Sequence, residues 1–228
     1  MKDKRCDIGT AIARISHGAS VMVSGFGSSG TPFSLIDELI NQGQKELTLI
    51  KNDANEDGIG IDKLVKSSQV KKLYATHIGL NTMVMKLAES GELDVELIPQ
   101  GIMAERIRCA GVGVPGFLSI IGLDIEYAKD KSIVEVEGEK YIYEKALGAD
   151  FAIVRAEISD SFGNMRFNTA GINFAPLMAQ AADVTLVEAK QVVDIGDINP
   201  EDVHASGISV DSVSQITHFT EEYNAIWR

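Results

Sequence analysis

Short β-rich runs alternating with helical patterns constrain this chain more than any other feature of it. Residues 20–23, 47–50, 72–76 and 95–98 have strand length and are rich in apolar residues, many of them branched or aromatic. Helical patterns occupy 32–41, 61–68, 82–90 and 100–109, and Pro32 suits a first helical turn because its missing N–H costs nothing there. Strands spaced by helices in this way mean βαβ units, so the expected fold is α/β, an open, mostly parallel sheet flanked by helices. The rhythm breaks at Gly111-Val-Gly-Val-Pro-Gly116, too rich in Gly and Pro for a regular element. An alternating run at 132–137, then Gly138-Glu-Lys, then Tyr141-Ile-Tyr143 reads as an antiparallel hairpin. The α/β pattern resumes with a strand at 151–154, a helix at 175–182 and a strand at 184–187. No repeat or linker composition divides the chain, so one domain over 1–228 is expected, with a β-rich insertion around 116–145.

Composition narrows the function. Among 228 residues, 21 Lys and Arg face 33 Asp and Glu, a net charge of −12. Such acidity excludes nucleic acid and anionic membrane surfaces as expected partners. The longest uncharged stretch, 15–36, holds four Gly and one Pro and is no membrane span. The basic start lacks a following apolar stretch, so no signal peptide is expected and a cytoplasmic location is. Cys6 and Cys109 form no CxxC pair, which argues against a zinc ribbon, a redox motif or a disulfide scaffold. His17, His77, His204 and His218 are isolated, so no metal site is expected, and without a Gly-x-Ser-x-Gly elbow neither is a hydrolase triad. A small-molecule pocket is the place to look.

One segment offers such a pocket its chemistry. Ser24-Gly25-Phe26-Gly27-Ser28-Ser29-Gly30-Thr31-Pro32 lies between an expected strand and an expected helix. Glycines there let the backbone approach a ligand, and amides at a helix N-terminus attract phosphate or carboxylate. Gly25-x-Gly27-x-x-Gly30 also fits the dinucleotide fingerprint, which wants an acid at the end of the next strand. That strand ends Ile50-Lys51-Asn52, with Asp53 arriving late. On these residues alone a nicotinamide-dependent oxidoreductase, a non-enzymatic sugar-phosphate sensor and a tight turn that binds nothing all stay open. A side chain at Gly27 or Gly30 is expected to collide with the ligand or with the following helix.

The run His17-Gly18-x-x-Val21-Met-Val23-Ser24-Gly25-Phe26-x-x-x-Gly30-x-Pro32 resembles the α-subunit signature of the family I coenzyme A transferases. The resemblance continues in order through Asn52-Asp53, Gly58-Ile-Gly60, His77-Ile-Gly79 with Asn81, and Ser90-Gly91-Glu92-Leu93. It goes on through Pro99-Gln100-Gly101, Glu105-Arg106-Ile107-Arg108, Gly116-Phe117, Gly163-Asn164, Asn173-Phe174 with Pro176, and Val187-Glu188, covering about 10–213. It implies the sheet shared with ribose-phosphate isomerases and transfer of CoA between an acyl-CoA and a short-chain carboxylate of the acetate, acetoacetate or 3-oxoacid type.

In that family the nucleophile is a glutamate of the β subunit, in a Ser-Glu-Asn-Gly motif that this chain lacks. The resemblance therefore implies a hetero-oligomer with a β subunit, of α2β2 form, no activity from this chain alone, and CoA as substrate with no tightly bound cofactor. It gives Ser24, Gly25, Phe26, Gly27, Ser28, Ser29 and Gly30 to CoA binding, and Gln100 to the oxyanion formed on thioester attack. From position alone Gln100 would instead cap its own helix. Arg106 and Arg108 cannot share a helix face, so at most one is expected at the site. Departures fall at His17, Ser24, 119–125, Ile172 and Ser206, and bear on the acyl substrate rather than the reaction.

Overall fold

The computed structural model describes residues 2–227. Its main sheet carries β1 (Ser20–Val23), β2 (Leu47–Ile50), β3 (Val70–Ala75), β4 (Asp94–Leu97), β8 (Ala149–Asp160), β9 (Met165–Arg166), β10 (Ala182–Val193) and β11 (Ser212–Gln215). The order is β11-β10-β8-β1-β2-β3-β4, all parallel, with the short β9 pairing antiparallel to β8. The helices are α1 (Ile8–Ile12), α2 (Phe33–Gln42), α3 (Ile61–Lys66), α4 (Thr82–Ser90), α5 (Gln100–Gly111) and α6 (Ala175–Ala181).

Strand alternation divides the core between the two faces of the sheet. Val21, Val23, Leu49, Leu73 and Ile153 meet Ile12 of α1, Leu35 and Leu39 of α2 and Leu64 of α3. Met22, Ala152, Val154 and Val187 meet Ile102, Met103 and Ile107 of α5 and Met178 of α6. Local chemistry sets the helix ends. The Asn81 side chain caps α4 by accepting from the Val84 amide, and the helix stops at Gly91 in the left-handed conformation.

The expected insertion is a second sheet, β5 (Gly116–Ser119), β6 (Ile133–Val136) and β7 (Glu139–Lys145), antiparallel in the order β5-β7-β6. Its hairpin turn is one residue shorter than Gly138-Glu-Lys implied and begins one residue earlier. Glu137 (φ 53°) and Gly138 (φ 84°) form the bend, the double positive φ that matches the twist of the flanking strands. Arg106 Nε donates to the Lys145 carbonyl at 2.8 Å and Lys131 Nζ to buried Glu144 at 2.9 Å, which ties this sheet to α5 and to its own loop.

Elsewhere the expected boundaries needed correction. β8 and β10 run 12 residues each, well beyond 151–154 and 184–187. They pair with each other from Ala149–Ala182 to Asp160–Val193, whereas β1 covers only Phe151 to Ile153. Their far halves carry Arg155, Glu157, Glu188 and Lys190, which hid the continuation. Pro32 is the residue before α2 rather than in its first turn, and α3 stops at Lys66 because Ser68 takes φ 56°. α1, β9 and β11 lie outside the expected elements, and β5 adds a third strand to the hairpin of the expected insertion.

Candidate active site

The sheet changes its direction of growth at β1, with β2, β3 and β4 added on one side and β8, β10 and β11 on the other. In open parallel sheets the ligand crevice lies outside the carboxyl ends of the strands at such a reversal. The glycine loop leaves β1 at that point.

The loop is braced from beneath. The Gly27 amide donates to Asp53 Oδ2 at 2.8 Å, and the Gly27 carbonyl accepts from Asn55 Nδ2 at 2.8 Å and Thr31 Oγ1 at 2.7 Å. Phe26 and Ser29 exchange backbone bonds at 2.8 and 3.2 Å. Ser24 is fully buried, and its hydroxyl donates to the Gly30 carbonyl at 2.7 Å while accepting from the Arg155 amide at 3.1 Å. A serine in place of the signature glycine thus closes the neck of the loop instead of facing a ligand. Asn173 Nδ2 donates to the Gly25 carbonyl at 3.1 Å from the far side. Phe26, 48% exposed, stands at the rim. Among the described residues the Gly25, Ser28 and Gly30 amides make no hydrogen bond, so fewer loop amides are open to an anion than the motif suggests.

Gly30 and Gly27 differ in what surrounds them within the chain. A Cβ at Gly30 would strike the backbone of Gly171, with its Cα at 2.6 Å, whereas one at Gly27 meets nothing within 4 Å. Within the chain the collision at Gly30 is therefore with the 169–172 turn rather than with the helix that follows. Both glycines hold positive φ, 76° and 57°.

The brace is a buried ion pair. Lys51, 0% exposed, reaches Asp53 Oδ1 at 3.1 Å. Asp53 accepts in addition from Asn52 Nδ2 at 3.0 Å and from the Asn55 amide at 2.9 Å. Burial raises the Asp53 carboxyl, but Lys51 and the donors Asn52, Gly27 and Asn55 outweigh it and hold the group at about 2. Burial draws the Lys51 ammonium below its ordinary value, with Asp53 opposing. An acid with both oxygens engaged inside the protein is not available to a ribose, so the dinucleotide reading loses its acidic partner.

Gln100 begins α5 after Pro99, and it does not cap its helix. Its Nε2 donates to Asn52 Oδ1 at 2.7 Å, so Gln100, Asn52, Asp53 and the Gly27 amide form one hydrogen-bonded chain. The structure thereby brings together the two features singled out in sequence. Neither arginine of α5 joins them: Arg106 holds β7, and Arg108 pairs with Glu105 at 2.6 Å on the surface.

Beside the loop opens a cleft of about 390 Å³ that the motifs did not reveal. Ser29, Thr169, Arg155, Phe167, Phe219 and Tyr223 line it, with Asn168 at its edge and Lys190 paired to Glu157 at 2.7 Å. Arg155 and Glu188 are register partners on β8 and β10. Glu188 accepts from the Leu35 amide at 2.9 Å and from Tyr223 Oη at 2.8 Å, and burial pushes its carboxyl up to about 7 against those donors and Arg155. Tyr223 lies over the Arg155 guanidinium at 4.5 Å and bonds Ser34 Oγ at 2.6 Å. Glu188 stood in sequence only as a motif match, and Arg155 had no signal beyond a charge in an apolar run.

Comparison with known proteins now bears on this geometry. Residues 6–215 match the family model described as Coenzyme A transferase. The chain belongs to that family. It is 42% identical over 211 residues to the probable coenzyme A transferase subunit alpha of Bacillus subtilis (strain 168), covering 92% of each. The acetate CoA-transferase subunit alpha of Escherichia coli (strain K12) is 37% identical, over 93% of this chain and 97% of that protein. The acyl-CoA transferase of Escherichia coli O157:H7, solved as a thioester complex with CoA, superimposes with a TM-score of 0.84 at 24% identity. This chain is covered over 96% and spans 48% of that longer one. The expected fold, an open mostly parallel sheet with a smaller antiparallel one, is the family's. Among the described residues no helix is long and apolar enough to cross a membrane, and no group of three His, Cys, Asp or Glu could hold a metal ion.

Proposed function

We propose that this chain is the α subunit of a cytoplasmic CoA-transferase that moves CoA between a short-chain acyl-CoA and a carboxylate of the acetate, acetoacetate or 3-oxoacid type. Its relatives named subunit alpha support a β partner, for which the reading takes an α2β2 assembly. The β subunit contributes the glutamate that attacks the thioester and later carries CoA as a glutamyl thioester. CoA enters as substrate, and the reaction calls for no tightly bound cofactor or metal. Residues 1–228 act as one domain, with 116–145 inserted.

The observation that carries this reading is the hydrogen-bonded chain from Gln100 to the glycine loop. A primary amide has two N–H donors. Asn52 Oδ1 takes one from Gln100 at 2.7 Å and fixes the plane of the amide, which leaves the second N–H to point at an oxyanion without reorganisation. The same chain runs through Asp53 to Gly27, so the loop given to CoA and the oxyanion donor hold a fixed relation. Asp53 stays ionised throughout the neutral range and keeps that relation rigid.

The test uses the assembled complex. Purified chain alone is expected to transfer no CoA, and the cognate β chain to restore transfer. In the complex, Gln100→Ala should lower kcat about a hundredfold or more, with a smaller effect on KM, the loss found when one oxyanion donor is removed. Full activity from the single chain would overturn the partnership. Unchanged kcat in the variant would return Gln100 to a structural role.

A further inference from the structure

The helix that follows the glycine loop, α2, is capped from far along the chain. Pro32 brings no N–H of its own, and Phe33 donates to the Thr31 carbonyl at 3.1 Å. The next two amides are met by tertiary partners: Ser34 donates to Tyr223 Oη at 2.9 Å and Leu35 to Glu188 Oε2 at 2.9 Å. Tyr223 gives its one proton to Glu188 Oε1 at 2.8 Å, so its oxygen accepts from the Ser34 hydroxyl as well, at 2.6 Å. Tyr223 belongs to a segment, 216–224, that follows the residues matching the family model. The segment holds a second helix too. Glu222 accepts from the Gly60 amide at 3.3 Å and from Lys63 Nζ at 3.0 Å, at the start of α3. Both helices bear on the glycine loop. α2 leaves it through Thr31 and Pro32, and Asn55 accepts from the Ile61 amide at 3.1 Å while donating to the Gly27 carbonyl at 2.8 Å.

We propose that segment 216–224 is a clasp across the starts of α2 and α3 that fixes the glycine loop for acyl-CoA, with Tyr223 as its positioning residue. The loop's part in binding CoA rests on the transferase reading above; the clasp itself rests on the hydrogen bonds just described. Ile216 and Tyr223 are buried with Phe33 and Ile59 in a small cluster set apart from those on the two faces of the sheet. Loss of so small a satellite loosens what it touches and leaves the main core standing. The Gly25, Ser28 and Gly30 amides are uncommitted within the chain and can meet a ligand only if the backbone that carries them is already in place. Holding α2 and α3 by their first turns supplies that order before the ligand arrives, which lowers the entropy lost on binding. Tyr223 acts through the helix ends and not on the reacting atoms, since its proton is given to Glu188. An effect of this kind is shared by the bound ground state and the transition state, so it falls on KM more than on kcat.

The experiment uses Tyr223→Phe, which removes the hydroxyl and keeps a ring edge-on to Phe33, 5.1 Å between centroids. Amide hydrogen exchange is followed by NMR in the full chain, and acyl-CoA kinetics in its complex with the β chain. The Ser34 amide and the loop amides of Phe26, Gly27 and Ser29 should exchange about tenfold faster, with Leu73 of β3 unchanged. In the complex KM for acyl-CoA should rise about fivefold, with kcat changed less than twofold. Glu222→Gln, at the other hold of the clasp, should move the same loop amides in the same direction by a smaller factor, and it decides the matter alone should Tyr223→Phe not fold. Unchanged loop exchange in a folded variant would overturn the clasp and leave the transferase reading untouched. Leu73 accelerated by the same factor as the loop would overturn it too, by making Tyr223 a general stabiliser. Faster loop exchange with an unchanged KM would overturn the proposal at its other step, by taking CoA away from the loop.

Discussion

Two buried cations flank the glycine loop, and they are treated oppositely. Lys51 is wholly enclosed and engaged: Asp53 meets it, and Asp53 is in turn held by Asn52, Asn55 and the Gly27 amide. The guanidinium of Arg155, nearly as buried, makes no hydrogen bond or ion pair among the described residues, lies against the Tyr223 ring at 4.5 Å and borders a cleft. A saturated charge is architecture, because nothing is left with which to hold a ligand. The Arg155 charge is met instead by the face of Tyr223 and the neighbouring Glu188, contacts that leave its N–H donors uncommitted. The same loop is thus cross-braced by hydrogen bonds on one flank and bordered by a cleft on the other.

The sharpest way to break this contrast is Lys51→Met. It leaves Asp53 buried and unpaired, and should lower unfolding free energy by about 3–5 kcal/mol in urea titrations. Arg155→Gln should cost less than half as much, and equal losses would erase the distinction. Next come the glycines of the loop. Gly30→Val must push the 169–172 turn away and should cut CoA transfer by the assembled complex at least a hundredfold. Gly27→Ala, with no protein atom within 4 Å of the added Cβ, should cost only about 1–2 kcal/mol of left-handed strain and lower transfer less than Gly30→Val does. The smallest effect concerns Glu188. Its proton is held more tightly in the folded chain, at about 7 against an ordinary 4.5, so this group makes stability fall as pH rises through that window. Glu188→Gln should flatten the dependence and raise Tm at pH 8 relative to wild type, as scanning calorimetry at pH 5, 6, 7 and 8 would register.

What could be read in the sequence follows from how locally each feature is encoded. The glycine loop was visible because its residue types are unusual wherever they occur, and β1 to β4 because each strand is a compact apolar run. Lys51 was not, since a lysine after Leu-Thr-Leu-Ile reads as a solvated strand end, and its burial depends on Asp53 and a loop 24 residues upstream. Gln100 was placed by resemblance, and only the fold supplies Asn52 as its orienting partner. The far halves of β8 and β10 were illegible for a related reason. Glu188 and Arg155 interrupt the apolar pattern, and their pairing across strands is a tertiary fact. Ser24 came to the loop by resemblance, and only the fold shows that its hydroxyl is engaged with Gly30 and Arg155 in closing the neck.

The position of β1 in the middle of the sheet has a consequence for synthesis. Its neighbour β2 follows within one helix, but its other neighbour, β8, pairs through Val21 and Phe151, 130 residues later. On the ribosome the first four strands can assemble with α1 to α4 on one face, while the β8 edge of Ser20-Val-Met-Val23 waits unpaired for just over half of translation. Non-local parallel pairing of this kind is slow to form, and an open apolar edge invites association with other chains. The nascent protein is therefore most vulnerable just before residue 149 emerges, and chaperone dependence should concentrate in that interval.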